Sequence, residues 1–312
     1  MLVTHGNILH TAEDLARCVA YREWERLLIW LPTFHDMGLI CGLVMPIYKG
    51  LPMYLMSPLT FLQRPLRWWQ AISTYGVTQT VGPNFSYDLS VRKSTPEQRA
   101  ALRLGQLRIT GTVAEPIHRA TVESFSEAFA VSGFKQEAFL SGYGLAESTL
   151  KVTGGLVRWV EVSSEALRQN RVEISTRETP ETQSVISCGT TDMGTEICIV
   201  NPGTLCRCEA DEVGEIWVRG PGIARGYWNR PEESARVFSA YLNDTGEGPF
   251  LRTGDLGFVL DGELFVTGRL KDLIILDGVN IYPQDIEWTM QAAHQGIRPG
   301  CCAVFSIERE GR

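Results

Sequence analysis

Residues 250–286 read FLRTGDLGFVLDGELFVTGRLKDLIILDGVNIYPQDI, and three features lie close together in this stretch. Residues 252–257 predict a tight turn that presents one carboxylate, because two glycines give the backbone room there. The pair Asp261-Gly262 between two apolar runs predicts the turn of a β-hairpin. Residues 268–272 then interrupt the pattern with charge before a further strand begins. A fixed carboxylate, a hairpin and a charged joint together indicate a site at a domain boundary.

Upstream of this stretch, short apolar strands alternate with longer helices. Residues 12–28 place apolar side chains at helical spacing, and residues 61–75 predict an amphipathic helix that carries Trp68 and Trp69. Thr95 precedes a proline and a glutamine at the spacing of a helix N-terminus. The predicted strands are residues 28–31, 53–56, 77–81, 108–110 and 138–140. This alternation predicts an α/β fold with a mainly parallel sheet that helices cover on both faces.

The chain changes character after Gly155. Residues 156–186 are mostly polar and contain no glycine, so they do not fit the α/β alternation. They are interpreted either as a surface insertion or as a linker. From residue 197 onward the sequence predicts a strand-rich part, in which residues 211–219 resemble a hairpin unit.

Composition excludes several classes of function. The chain has 312 residues and a net charge of −7, with scattered basic residues, so we expect no nucleic-acid partner. No apolar run approaches the roughly 18 residues that a membrane-spanning helix needs, so we expect no transmembrane segment. Eight cysteines occur without the spacing of zinc or redox pairs. We therefore expect reduced thiols and a cytoplasmic location.

A candidate site follows the strand predicted at residues 138–140. Gly142 and Gly144 flank Tyr143, so a flat ligand has room to lie against the ring. The carboxyl end of a strand in an open α/β sheet is where ligands bind. Glu147 is a candidate ligand for magnesium, which typically takes one or two carboxylates together with phosphate oxygens. The alternative is an ordinary strand-to-helix turn with a solvated glutamate.

Two further positions have both a functional and a structural interpretation. Asp255 has the chemistry to accept hydrogen bonds from two vicinal hydroxyls, such as those of a ribose, or it is an aspartate that only stabilises its own turn. His35 and Asp36 follow a strand and precede an apolar helix that is able to line a tunnel. A histidine in that place is more often structural than catalytic.

Taken together, these motifs resemble the adenylate-forming enzymes and, within that superfamily, the fatty acyl-AMP ligases. The motifs occur in the order of that family through most of the chain. They are residues 30–40 (WLPTFHDMGLI), 143–147 (YGLAE), 152–155 (VTGG), 214–218 (GEIWV), 226–228 (GYW), 252–257 (RTGDLG), 268–272 (GRLKD) and 280–283 (NIYP).

The resemblance implies an ATP site with magnesium. Tyr143 would stack on the adenine, between its two glycines, and Ala114 with Glu115 would form the opposite wall. Glu147 would hold the metal, and Asp255 would bind the ribose hydroxyls. The remaining implied roles are Arg269 beside the ribose and phosphate, Lys271 as a hinge between domains, and His35 where the fatty carboxylate meets the α-phosphate.

The resemblance also implies the domains and the reaction. A large N-terminal domain over residues 1–270, with a β-rich part over about 190–270, would be followed by the start of a small α+β domain over 271–312. The stretch 156–186 would be the insertion that limits the swing of the small domain in this family. A fatty acid would become an acyl-adenylate with release of pyrophosphate. The acceptor would be an acyl carrier protein or polyketide synthase rather than coenzyme A.

Four departures from the family pattern leave alternatives open. The glycine-rich phosphate loop would lie upstream of Thr4, and the catalytic lysine of the small domain would lie beyond Arg312, so the chain is interpreted as an internal piece whose activity alone is in doubt. Residues 112–113 stand where a glycine is usual, and Lys151 replaces an apolar residue. The alternatives are a fatty acyl-CoA ligase, a non-catalytic protein that binds nucleotide or acyl groups, and a misfolded remnant.

Overall fold

A computed structural model of the chain describes residues 1–276, 279–293, 296–297 and 301–307. Helices α1–α10 span His5–Cys18, Met45–Lys49, Pro58–Gln63, Leu66–Tyr75, Asn84–Arg92, Pro96–Ala100, Arg119–Phe129, Ser164–Arg168, Pro231–Phe238 and Pro283–Ala293. A π-helix spans Met37–Val44, and 3₁₀ turns span Ala130–Ser132, Gln136–Ala138 and Ala146–Ser148.

Strands β1–β15 span Leu27–Ile29, Met53–Leu55, Gln79–Gly82, Ile109–Thr112, Phe139–Gly144, Lys151–Leu156, Trp159–Ser163, Ile174–Ser175, Thr182–Ile186, Glu196–Val200, Gly214–Arg219, Leu251–Leu260, Glu263–Arg269, Ile274–Leu276 and Val279–Ile281. A six-stranded sheet has the order β2-β1-β3-β4-β5-β6. Strands β1 to β5 pair in parallel and β6 pairs antiparallel to β5. The predicted mainly parallel sheet is confirmed. Its strands end at one edge, where open α/β sheets bind ligands.

The main core lies between this sheet and helices α4, α5 and α7. Trp68 and Trp69 on α4 are fully buried, as the amphipathic pattern predicts. The Trp69 ring lies 4.8 Å from that of Phe125 and 5.4 Å from that of Phe129, both on α7. Aromatic side chains of this size bury about 150–250 Å² each, so they dominate the energetics of such a core. The core holds the sheet edge in place beneath the site.

Two helix predictions were wrong in their limits. Helix α1 begins at His5 rather than at residue 12, because Thr4 and Asn7 form a capping box with bonds of 3.1 and 2.9 Å. It ends at Cys18, beyond which Ala20 adopts a φ of 46°. The helix predicted over residues 61–75 is two helices, α3 and α4. Pro65 separates them, because a proline disfavours the helical conformation of the residue that precedes it.

Residues 156–186 are folded and are not an extended linker, and their interpretation as an insertion stays a prediction. Strands β7, β8 and β9 form an antiparallel sheet in the order β8-β7-β9. Val162, Leu167 and Val185 are buried in one cluster with Phe258 and Phe265. The stretch is mostly polar, so these few apolar residues do not stand out in its sequence. They pack the stretch against the strand-rich part of the chain.

The strand-rich part contains an antiparallel sheet with the order β10-β11-β12-β13. The predicted hairpin is confirmed, with Asp261 at φ 51° and Gly262 at φ 81° in its turn. The tight turn predicted at residues 252–257 was wrong, because these residues lie within β12. A bulge interrupts the pairing of β12 with β11, and Gly254 there has φ 72°. The bulge presents Asp255, so the carboxylate is fixed by a strand instead of a loop.

The C-terminal segment begins with the hairpin β14-β15 and helix α10. Gln284 Nε2 donates a 2.6 Å hydrogen bond to the Thr267 carbonyl of β13. The Trp288 ring stacks on His118, with ring centroids 4.0 Å apart. The predicted boundary at residue 270 stays a prediction, and part of the segment 271–312 lies outside the described residues.

Two sequence expectations concern the whole chain. All eight cysteines are free thiols, as predicted. In the ranges that the structure describes, no helix combines the length and the apolar character needed to cross a bilayer.

Candidate active site

A cavity of about 370 Å³ opens at the carboxyl edge of the parallel sheet. This volume lies in the range of small-molecule sites. Two kinds of residue line it. The predicted site residues among them are His35, Ala114, Gly142, Tyr143, Gly144, Glu147 and Arg269. The apolar wall includes Leu15, Leu27, Met45, Val81 and Leu140.

Three charged or polar side chains meet at one end of the cavity. Tyr143 Oη donates a 2.7 Å hydrogen bond to Asp255 Oδ2. Arg269 Nε lies 3.1 Å from the other carboxylate oxygen, Oδ1. Asp255 itself is 8% exposed and lies just behind the residues that line the cavity, in contact with two of them. Residues 143, 255 and 269 are brought together by strands β5, β12 and β13.

Burial sets the protonation behaviour of this group. It raises the pKa of Asp255, while the Tyr143 hydroxyl and the Arg269 guanidinium oppose the rise. Burial also raises the pKa of Tyr143 well above its usual range, and the Asp255 charge adds to the effect. The tyrosine is therefore a neutral hydrogen-bond donor at physiological pH.

The two glycines beside Tyr143 are required by close packing as well as by access. A Cβ added at Gly144 would lie 1.8 Å from the Leu150 carbonyl oxygen, which is impossible without moving the backbone. A Cβ at Gly142 would lie 3.0 Å from the Thr153 carbonyl oxygen. Strand β6 thus approaches β5 closely at the position where the sequence predicts a ligand against the ring.

Of the two residues predicted opposite Tyr143, one lines the cavity and the other does not. Ala114 lines it and adopts a φ of 72°, an uncommon conformation for a residue with a side chain. Glu115 does not line it. Its carboxylate accepts a 2.5 Å hydrogen bond from the Phe85 backbone amide. Burial raises the pKa of Glu115, and that hydrogen bond opposes the rise.

Glu147 reaches the cavity from the 3₁₀ turn after β5. Its carboxylate accepts a 2.7 Å hydrogen bond from Tyr227 Oη. Among the described residues there is no group of three or more acidic, histidine or cysteine side chains able to enclose a metal ion. A single carboxylate nevertheless fits magnesium, which keeps waters and binds mainly through substrate phosphates. Glu147 is the residue that would hold the ion.

His35 lies on the cavity wall just before the π-helix. Its Nδ1 is 2.7 Å from Asp36 Oδ1, and the side chain is 54% exposed. Asp36 also accepts a 2.7 Å hydrogen bond from the Met37 amide, which fixes the carboxylate at the start of the helix. The imidazole is therefore oriented through Nδ1, which also accepts a 3.2 Å hydrogen bond from the Met37 amide. A π-helical segment is itself frequent at functional sites.

Lys271 is outside the cavity. It is exposed in the turn that follows β13, next to the C-terminal hairpin. This position suits the predicted hinge and gives it no contact with the cavity. The roles predicted for the individual site residues all remain predictions.

The structure adds polar groups that no motif indicated. Lys151 lines the cavity, and its Nζ lies 2.8 Å from Asp14 Oδ1. Thr153 lines it as well. Asp14 is separated from Lys151 by 137 positions, so no local pattern connects them. The one available signal was the lysine itself, a charge where an apolar residue is expected.

Comparisons with known proteins identify the family of the chain. The family model described as AMP-binding enzyme matches residues 1–228. The chain is 45% identical over 317 residues to the medium-chain-fatty-acid–(acyl-carrier-protein) ligase JamA of Moorena producens, covering all of this chain and 54% of that protein. It is 42% identical over 300 residues to the long-chain-fatty-acid–AMP ligase FadD26 of Mycobacterium marinum, covering 90% of this chain and 51% of that protein.

Solved structures share the fold of the chain. A fatty acyl-adenylate ligase from L. pneumophila, crystallised with acyl adenylate and pyrophosphate, has 39% identity and a TM-score of 0.84, covering 99% of this chain and 55% of that one. A keto acid-selecting adenylation domain at 24% identity and TM-score 0.81 shows the fold alone, over 92% of this chain and 54% of that one. The chain spans about half the length of the curated relatives reported above.

Proposed function

The chain belongs to the family of AMP-binding enzymes, and on that premise we propose that it is part of a fatty acyl-AMP ligase. The proposed reaction joins a fatty acid to ATP, giving an acyl-adenylate and pyrophosphate. The acyl group then passes to an acyl carrier protein or a polyketide synthase. The names of the relatives support the fatty acid and the carrier protein as substrates.

One observation carries the proposal. A single cavity is lined both by the motif residues Tyr143, Glu147 and Arg269 and by an apolar wall that includes Leu15 and Met45. A nucleotide needs the polar end and a fatty acyl chain needs the apolar wall. Because both line the same cavity, the two substrates are able to meet within it.

We assign the nucleotide roles to the polar end. Tyr143 stacks on the adenine, flanked by Gly142 and Gly144, with Ala114 and Glu115 on the opposite side. Asp255 binds the ribose hydroxyls, since a carboxylate with two partners still has free lone pairs. Arg269 lies beside it and is placed to meet the ribose and the α-phosphate.

The chemical step brings two anions together. The carboxylate oxygen of the fatty acid attacks the α-phosphorus of ATP, and the bond to the bridging oxygen of pyrophosphate breaks. Most of the catalysis is positioning and charge neutralisation. Arg269 supplies a positive charge, and His35, oriented by Asp36, lies where the fatty carboxylate approaches. Magnesium, held by Glu147, would neutralise charge on the phosphates.

The folded insertion supports a carrier protein as the acceptor rather than coenzyme A. Helix α8 of the insertion packs beside β15 of the C-terminal segment. Leu167 of α8 shares a buried cluster with Tyr282, which follows β15. We infer that these contacts restrain the small domain whose start is proposed at residue 271, with Lys271 as its hinge. The free thiols support the cytoplasmic location that the sequence predicts.

The primary test is fatty-acid-dependent ATP–pyrophosphate exchange with magnesium. It is measured on this chain and on a version extended at both ends, and acyl-AMP binding is measured on both by calorimetry. Asp255→Asn is expected to abolish exchange, while Asp261→Asn, the same change in the exposed hairpin turn, is expected to leave it intact. Failure of the extended protein to exchange, together with failure to bind acyl-AMP, would refute the proposal.

The acceptor is tested separately, without deleting residues 156–186, since deletion would uncover Phe258 and Phe265. In the extended protein, Leu167→Ala is expected to raise acyl-CoA formation relative to acyl transfer to the carrier. Leu242→Ala is the control, because Leu242 is equally buried in a cluster that does not contain Tyr282. An unchanged ratio in Leu167→Ala would count against the restraint.

A further inference from the structure

The apolar side of the cavity contains a buried ion pair that the proposed chemistry does not use. Lys151 Nζ lies 2.8 Å from Asp14 Oδ1, and the two side chains are only 5% and 1% exposed. Lys151 is the first residue of β6 and lines the cavity, whereas Asp14 on α1 does not line it. The lysine therefore faces the occupant of the cavity with a carboxylate on its far side.

The surroundings of the pair belong to the wall where the acyl chain is proposed to lie. Leu15 and Cys18 on α1 line the cavity next to Asp14, and Cys41 of the π-helix lines it as well. The Lys151 side chain runs past Gly154, where an added Cβ would lie 3.3 Å from Lys151 Cε and 2.5 Å from Cys18 Sγ. A charged group thus lies on the cavity wall among the side chains of Leu15, Cys18 and Cys41.

A second polar group lies two residues further along the same strand. Thr153 lines the cavity and is 1% exposed. Its buried Oγ1 has no hydrogen-bond partner within the part of the chain that the structure describes. Buried hydroxyls normally have a partner, so one is expected from a bound molecule or from water. Residues 151 and 153 thus put two polar side chains on the cavity wall, at positions paired with Gly144 and Tyr143 of β5.

The hydrogen-bonding capacity of the lysine defines what fits beside it. An ammonium group has three donors, and within the described residues the structure gives Lys151 one hydrogen bond, to Asp14. Because Lys151 lines the cavity, a molecule bound there is able to accept hydrogen bonds from the remaining donors. A plain alkyl chain would leave these donors unsatisfied, which is costly in a closed site. An oxygen on the chain would accept from them.

The charge of the ion pair determines which kind of substrate oxygen fits beside Lys151. Asp14 already neutralises Lys151, so the pair carries no net charge. A second carboxylate on the substrate would bring an uncompensated negative charge into a buried site. A neutral oxygen accepts a hydrogen bond without that penalty.

We propose that Lys151, held by Asp14, is a specificity residue that selects a carboxylic acid carrying a hydroxyl or keto oxygen on its chain. The inference rests on the proposed function, because it assigns the apolar wall to an acyl substrate. It goes beyond that function by naming the substrate class. The lysine donates to the chain oxygen, and Thr153 is placed to share the same group.

The test compares octanoic acid with the series of hydroxyoctanoic acids that carry the hydroxyl at different carbons. ATP–pyrophosphate exchange by the full-length protein gives kcat/KM for each acid. At least one hydroxy acid is expected to exceed octanoate by about tenfold or more, since a site built to bond a hydroxyl discriminates strongly against its absence. In Asp14→Ala/Lys151→Met this preference is expected to disappear. Removing both charges together avoids leaving one of them buried without a partner.

A matched control lies one residue along the same helix. Glu13 on α1 pairs with Lys49, with Nζ 2.5 Å from Oε2, and neither residue lines the cavity. Glu13→Ala/Lys49→Met is expected to keep the hydroxy-acid preference unchanged. Exchange with octanoate but no preferred hydroxy acid, or a preference that survives Asp14→Ala/Lys151→Met, would overturn the inference alone. No exchange with any acid would overturn the proposed function and the inference with it.

Discussion

Breaking the Asp14–Lys151 pair from one side is expected to destabilise the chain more than removing it completely. Both side chains are at least nine-tenths buried, so a single substitution leaves one charge without a partner in a nonpolar environment. Such a loss typically costs about 3–5 kcal/mol, whereas apolar replacement of both partners is often close to neutral. Asp14→Ala and Lys151→Met should therefore each be less stable than Asp14→Ala/Lys151→Met. A loss of that size is a large fraction of the ~5–15 kcal/mol that stabilises an ordinary domain.

Urea unfolding of the 312-residue chain provides the measurement, with the midpoint compared at unchanged m-value. The Glu13–Lys49 pair is the control. Its side chains are 28% and 21% exposed, so each single variant there should lose at most about 1 kcal/mol. Both ion pairs join α1 to a lysine. The difference between their stability losses therefore reports the effect of burial. Losses of the two single variants that add up to the loss of the double variant would refute the buried-pair argument.

Three further outcomes are expected. Burial raises the pKa of Asp255 above its ordinary value of 3.8, so the ionisation of Asp255 costs stability as pH rises through the folded-state pKa. Asp255→Asn should therefore gain stability relative to the unaltered chain as the pH rises above about 3.8, and a change in the other direction contradicts this. Gly262→Ala should cost about 1–2 kcal/mol in urea unfolding from backbone strain alone, since φ is 81° and an added Cβ meets no atom within 4 Å. Iodoacetamide at about pH 8 should label the exposed Cys301 before the half-buried Cys41 and Cys188, because desolvation raises the pKa of these two thiols to about 12; equal rates in the folded chain would contradict this.

Local rules predicted the features that are decided locally. The hairpin at Asp261-Gly262 follows from the need for positive φ at both turn positions, and the structure has 51° and 81° there. The capping box predicted at Thr95 is present, with Gln98 as its partner. In both cases the residues that determine the conformation are within a few positions of one another.

The errors arose where packing between distant segments decides the conformation. The stretch 252–257 has the composition of a turn, yet β11 pairs with it and makes it a strand with a bulge. The polar insertion 156–186 is held by three apolar side chains whose partners come later in the chain. Neither pairing leaves a local trace in the sequence.

The site divides in the same way. The residues proposed for the nucleotide end each belong to a short motif, and strands of two different sheets bring Tyr143, Asp255 and Arg269 within hydrogen-bonding reach. The acyl wall has no such motif, since many apolar residues serve equally well there. Lys151 differs from these apolar residues, because burying a lysine on a strand costs free energy unless a partner such as Asp14 compensates for its charge. A residue that violates the local pattern at a cavity wall is therefore the place to look for specificity, and the hydroxy-acid comparison tests whether the violation is functional.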